Sequence, residues 1–264
     1  MTISLGLMMF PALMILIFIG FPVAFSLFGV AVLFGYIRFG DVLVHQLIAK
    51  VDDVASYYVL SAVPLFIFMG CMLEKSGVSE KLFEAVHLVT RKLPGGLAIS
   101  TVVLCVFFAA ASGVVGAAES VVGLMVISVM LRHGYDKGLI SGTICAGGSL
   151  GTIIPPSVVV VILSPIAGVG VGNLFVGIMF PGLILAGLYI VYILLRCSIW
   201  PDDGPSVDNG ESYGSIGSQA WVVFSSLVPL FGLIFSVLGT IMLGWATPTE
   251  AGAMGAIGLS LIHI

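Results

Sequence analysis

The stretch Gly142-Thr-Ile-Cys-Ala-Gly-Gly-Ser-Leu-Gly-Thr-Ile-Ile-Pro-Pro-Ser157 decides how this chain is read. It lies inside an apolar run from Gly138 to Gly168, and its glycines and Pro-Pro pair oppose a continuous helix. As a straight helix the run would measure ~46 Å, against a hydrocarbon core of ~30 Å. A break near Pro155-Pro156 removes the excess. At membrane depth such a break leaves backbone groups that lipid cannot satisfy. It is tolerated only where protein, water or ions occupy the gap, and in secondary transporters that gap is typically the binding site.

Composition agrees with a membrane setting. The chain is 59% hydrophobic and 8% charged, with a mean hydropathy of +1.24, values outside those of soluble domains. The net charge of −4 is uninformative on a surface that mostly faces lipid, and nine Lys+Arg without aromatic interleaving exclude nucleic acid as a partner. Cys71, Cys105, Cys145 and Cys197 form no CxxC pair and read as packing residues. No basic n-region or A-x-A cleavage site precedes the first apolar stretch, so no removable signal is expected.

Outward from the break, the apolar stretch Ile3 to Tyr36 divides at Gly20-Phe21-Pro22 into spans 4–20 and 22–37, or forms one kinked, tilted helix. Residues 38–56 carry Arg38, Asp41, Lys50, Asp52 and Asp53 at helical spacing among aliphatics, the pattern of an interfacial amphipathic helix. A span follows at 57–73, and 74–92 read as the most basic loop. Segments 94–111 and 115–131 are joined only by Ser112-Gly113-Val114 and flanked at both ends by basic residues, which places both flanks in the cytoplasm. The pair is either two full spans with a tight turn or a re-entrant hairpin, and the small residues Ala109 to Gly113 favour the hairpin. Later spans occupy 173–196 and 222–243, around a polar loop at 199–218. The apolar end at Leu261 to Ile264 has no polar flank, so the natural chain is expected to continue.

We therefore expect an all-α integral membrane protein, a single membrane domain over 1–264. Scaffold spans and interfacial helices would fill 1–92, a hairpin and broken helix forming the transport part 93–168, and later spans 169–264. Candidate residues follow from the breaks. Ser112-Gly113 and Gly151 to Pro156 offer hydroxyls and freed carbonyls, hard oxygen ligands for a small cation, and the helix N-termini near Gly116 and Ser157 suit a carboxylate. Ordinary small-residue helix packing is the competing account. Glu119 is an intramembrane carboxylate, so either a functional group or a cap of the second hairpin helix. Glu250, in Thr247-Pro-Thr-Glu250, reads as a first-turn acid of a capped helix. No HExxH, GxSxG or GxxxxGK[ST] occurs and the histidines are dispersed, so an enzyme is not expected and uphill movement must draw on an ion gradient.

The sequence also resembles the large membrane subunit of tripartite ATP-independent periplasmic (TRAP) transporters. The resemblance rests on Ala62-Val-Pro-Leu-Phe-Ile-Phe-Met-Gly70, Phe108-Ala-Ala-Ala-Ser-Gly113, Arg132-His-Gly-Tyr-Asp-Lys-Gly138, the 142–157 stretch, Phe180-Pro-Gly182 and Ala246-Thr-Pro-Thr-Glu-Ala251, in family order over nearly the whole chain. It implies an ion-transporter-superfamily fold: a first inverted repeat plus the start of a second. It further implies a sodium-coupled, elevator-type importer of organic acids such as C4-dicarboxylates or sugar acids, in the bacterial inner membrane. Partners would be a small membrane subunit, a periplasmic substrate-binding protein and membrane lipid. Carried over by position, Na+ would sit at Ser112, Gly151, Ile154 and Pro156, and the substrate near Ser112, Gly113, Thr152 and Ser157, with Glu119 shaping the field. Many members carry Ser-Gly-Ser-Ser where this chain has Ser112-Gly-Val-Val115, so coordination would lean on main-chain oxygens. A stand-alone ion-coupled carboxylate transporter and a non-transporting membrane scaffold are the alternatives.

Overall fold

The computed structural model describes residues 2–113, 115–206 and 216–263. The side chains of 2–4, 112, 115–118, 216–220, 222, 226 and 261–263 are outside that description. All regular structure among the described residues is helical. The chain separates into two compact units, residues 1–58 and 59–264.

The first unit holds α1 (Thr2–Ile19), α2 (Val23–Phe39) and α3 (Val42–Ala55). Gly20, at φ +101°, and Pro22 part the first two helices, so the split reading applies and the single kinked helix does not. The structure also confirms a helix over the amphipathic segment. Gly35 gives Leu43 room, since a Cβ there would come within 2.8 Å of the leucine side chain. Lys50 and Asp53 pair at 2.9 Å on its exposed face, worth ~1 kcal/mol or less.

The second unit runs through α4 (Ala62–Lys75), α5 (Val78–Thr90), α6 (Gly96–Ser112), α7 (Val115–Arg132), α8 (Lys137–Ser149), α9 (Val158–Ala167) and α10 (Val171–Ile199). It continues with α11 (Ile216–Ile234), a π-helical turn over Phe235–Gly239, the short α12 (Thr240–Met242) and α13 (Pro248–His263). Among the described residues, three helical stretches are long and apolar enough to cross a membrane: Tyr58–Lys75, Val171–Ile199 and Val223–Met242.

At the centre stands α6. A helix that is apolar on every side must be surrounded, and Val102 and Leu104 are fully buried, with Cys105 nearly so. Even its hydroxyls are internal: Ser100 and Thr101 donate to the carbonyls of Gly96 and Leu97, four residues back, at 2.8 Å each. Close helix approach depends on small residues. A Cβ on Gly147 of α8 would lie 2.7 Å from Cys105 Sγ, and one on Gly255 of α13 would lie 2.5 Å from Met69 Sδ of α4.

Residues 78–90, read from sequence as part of a basic loop, are helical. The periodicity explains it: Leu82, Phe83 and Val86 share one face that packs inward, while Lys81 and Glu84 stay exposed. The charges masked an amphipathic helix.

A clasp closes one end of this unit. Gly95 N–H donates to the Gly204 carbonyl and Asp136 N–H to the Asp203 carbonyl, both at 3.0 Å. Arg196 Nε donates to Asp203 at 2.9 Å, and the buried Leu97 N–H donates to the Tyr135 hydroxyl at 3.2 Å. Burial pushes the Tyr135 hydroxyl up to about 12, so it stays neutral at physiological pH. Replacing Tyr135 with Phe strands that buried amide, at a cost of about 1–3 kcal/mol. The expected result is a melting temperature several degrees lower, read by thermal unfolding in detergent.

Candidate functional site

The chain leaves helical geometry at Ser149. A 3-10 turn, Leu150–Thr152, follows, and the N–H groups of Ile153 and Ile154 both donate to the Leu150 carbonyl, at 3.0 and 2.7 Å. In a continuing α-helix the carbonyls of Gly151 and Thr152 would receive the N–H groups of residues 155 and 156. Both are proline, joined by a cis peptide bond, and neither has an N–H. The Ser157 hydroxyl donates to the Thr152 carbonyl at 2.9 Å instead. The Gly151 carbonyl receives no hydrogen bond among the described residues. Helix resumes at Val158.

Opposite lies the junction of α6 and α7. Gly113 adopts the left-handed conformation, φ +63°, and its N–H donates to the Ala109 carbonyl at 3.0 Å. A Cβ on Gly113 would run into the Pro156 carbonyl oxygen, with Ser157 Cα 3.4 Å away. The Val158 N–H donates to the Gly113 carbonyl at 3.3 Å. Junction and break therefore touch backbone to backbone, with the first amide of α9 facing the junction. Only glycine fits there, for both its conformation and its lack of a side chain.

Of the residues singled out in the sequence, the structure brings together Gly113, Pro156 and Ser157, with Gly151, Thr152 and Ile154 in the same break. Ser157 is fully buried, and the half-buried Thr152 donates its hydroxyl to the Ser149 carbonyl at 2.8 Å. Ser112 is the last helical residue before Gly113, but its side chain lies outside the described residues.

Glu119 is half-buried on α7, one residue beyond the first turn of a helix that begins at Val115. Helix-end charge acts mainly within that turn, so the position is poorer for a cap than for a group facing a neighbour. That neighbour is Gly148 of α8, where a Cβ would overlap Glu119 Cγ. Glu250 stands apart. Its carboxylate accepts from the Thr247 N–H and hydroxyl at 2.8 Å each, and Thr247 Oγ1 lies 3.4 Å from the Glu250 N–H, a capping box opening α13.

Two contributors escaped the sequence reading. Gly148 makes room for Glu119, and Gly182 of α10 lets the break pack closely: a Cβ there would lie 3.1 Å from Ile153 Cγ2 and 3.2 Å from Ile154 Cγ1. The signals were present, as adjacent Gly147-Gly148 inside a helix and a glycine after Pro181, but nothing local said which element approached them. Among the described residues no cluster of three His, Cys, Asp or Glu forms. A cation held at the break would meet neutral hydroxyl and carbonyl oxygens, a donor set for hard ions rather than transition metals.

Residues 10–264 match the family model described as "Tripartite ATP-independent periplasmic transporter, DctM component". The C4-dicarboxylate TRAP transporter large permease protein DctM of Vibrio cholerae is 34% identical over 242 residues, covering 90% of this chain and 51% of the relative. Its namesake in Pseudomonas aeruginosa is 33% identical over 218 residues, 81% of this chain and 48% of the relative. The isethionate TRAP transporter permease protein DctMQ of Oleidesulfovibrio alaskensis is 30% identical over 241 residues, 90% of this chain and 36% of the relative. The chain thus spans about half the length of these two large permeases. With residues 10–264 of its 264 matched, the chain belongs to the DctM family of TRAP transporter large permeases, which are transporters and not enzymes.

Proposed function

We propose that this chain carries the first half of the transport machinery of a sodium-coupled importer of organic acids, multi-pass in the bacterial inner membrane. A periplasmic binding protein would deliver the solute and a small membrane subunit would brace the scaffold. In this reading α6 and α7 form a re-entrant hairpin, and hairpin and broken helix move together as an elevator. The observation that carries it is the meeting of Gly113 with Pro156 to Val158, beside the Gly151 carbonyl that lacks its helical donor.

The chemistry follows from that arrangement. A small hard cation satisfies carbonyls that neither lipid nor helix can satisfy. Na+ would be held by the main-chain oxygens of Gly151, Ile154 and Pro156 with the Ser112 hydroxyl. A substrate carboxylate would lie near Ser112, Gly113, Thr152 and Ser157, facing the amide ends of α7 and α9. A bound cation offsets the cost of bringing an anion into a low-dielectric site, which couples the two. Glu119 would tune the field and raise the dependence on sodium. The relatives named for C4-dicarboxylates and isethionate support a small organic anion as the solute class.

Uptake by the full-length protein, reconstituted with its partners in proteoliposomes, tests the proposal. Ser112→Ala is expected to raise the sodium concentration for half-maximal uptake about tenfold, the equivalent of ~1.4 kcal/mol for one lost ligand. Accumulation indifferent to sodium, and unchanged by the substitution, would contradict it.

A further inference from the structure

Away from the break, α8 and α10 leave a cleft of about 310 Å³ between them. Gly138, Gly142 and Ala146 form its floor at four-residue spacing along α8, and Tyr189, Tyr192 and Arg196 line it from α10. The cleft is open at Gly142, where a Cβ would meet nothing within 4 Å. Thr143 also lines the cleft. It is 4% exposed, and its buried hydroxyl has no hydrogen-bond partner among the described residues. This sets it apart from Ser100 and Thr101 on α6, whose hydroxyls bond carbonyls four residues back. A buried hydroxyl without a partner costs free energy, and an outside acceptor in the cleft would remove that cost.

The ends of the cleft differ in polarity. At one end Arg196 is held by Asp203 at 2.9 Å and donates to the Tyr192 hydroxyl at 3.2 Å. Both partners of the ion pair are partly exposed, at 36% and 27%, and the guanidinium keeps N–H donors to spare. Farther along α8 lies Thr143, five residues beyond Gly138, and Val102 and Ile193 give the cleft apolar walls. A charged rim beside apolar walls that also hold a hydroxyl offers a phospholipid a place for its headgroup, an ester group and an acyl chain.

We propose that the cleft binds a zwitterionic phospholipid of the phosphatidylethanolamine type. Its phosphate meets Arg196 and Tyr192, its ammonium faces Asp203, and an ester carbonyl accepts from the Thr143 hydroxyl. One acyl chain lies along the glycine face of α8. Basic pockets between membrane helices are recurrent headgroup sites. Here Asp203 already balances the arginine, so a headgroup carrying both charges suits the rim better than a net anion.

Native mass spectrometry of the full-length protein in detergent, titrated with phosphatidylethanolamine or phosphatidylglycerol, tests this. The wild-type protein is expected to retain one phosphatidylethanolamine at least about threefold better than phosphatidylglycerol. Thr143→Val removes the donor and should weaken retention about fivefold, the worth of one hydrogen bond. Gly142→Leu fills the cleft and should weaken it at least as much, and its melting temperature without lipid should stay unchanged because the site is open. Retention unaffected by both substitutions, or equal for the two headgroups, would overturn the proposal. So would a Gly142→Cys variant that cross-links to another protein segment, which would assign the cleft to helix packing.

Discussion

Gly113→Ala is expected to abolish uptake and to destabilise the folded protein. Two independent effects act at that atom. A non-glycine residue at φ +63° costs about 1–2 kcal/mol in the left-handed region. The added methyl also meets the Pro156 carbonyl, which is backbone and has no rotamer to escape into. Junction and break must then separate, and the Val158 to Gly113 hydrogen bond at 3.3 Å is the first contact to go. A lower melting temperature with residual uptake below a tenth of wild type is the expected outcome, since each ~1.4 kcal/mol is a factor of ten. Gly187→Ala on α10, where a Cβ meets nothing within 4 Å, is the control and should behave as wild type. Uptake by Gly113→Ala equal to the control would mean that the two backbones do not need to touch.

The second large effect is expected at the contact between Glu119 and Gly148. In Gly148→Ala the new methyl occupies the place of Glu119 Cγ, so the carboxylate must leave its position between α7 and α8. Overpacking of this kind costs about 1–3 kcal/mol. Unlike the Gly113 case, the obstacle is a side chain and can be removed. Glu119→Ala combined with Gly148→Ala should recover most of the lost stability, with a coupling of about 1 kcal/mol or more in a double-mutant cycle. Uptake should not recover with it if the carboxylate tunes the cation site. A double variant no more stable than Gly148→Ala alone would show that the two residues do not press on one another. Full recovery of uptake would confine Glu119 to packing.

How far the fold was legible varied with how local its cause was. The broken helix was legible because Pro155 and Pro156 delete donors at known positions, wherever the rest of the chain lies. The Glu250 cap was legible for the same reason, since Thr247, Pro248 and Glu250 act on one helix turn. The junction of α6 and α7 was half legible. Small residues and Gly113 announced a tight approach, but the partner surface, Pro156 to Val158, lies about forty residues away along the chain. The helix at 78–90 was obscured because its charges drew attention from the inward face formed by Leu82, Phe83 and Val86. The clasp of Tyr135, Asp136, Arg196 and Asp203 was not legible, because each member is an ordinary loop or helix-end residue until three segments converge.

The amino-acid sequence alone determined that this chain is an apolar, helical membrane protein with one interrupted helix and a small-residue junction before it. Those properties depend on transfer free energies and on backbone donors present or missing, which are local. Only the tertiary structure decided that the junction meets the interruption, that Glu119 rests on Gly148, and that the Thr143 hydroxyl has no partner among the described residues beside an open cleft. Such facts depend on which surfaces pack together, and close packing is a property of the whole assembly of helices rather than of any segment.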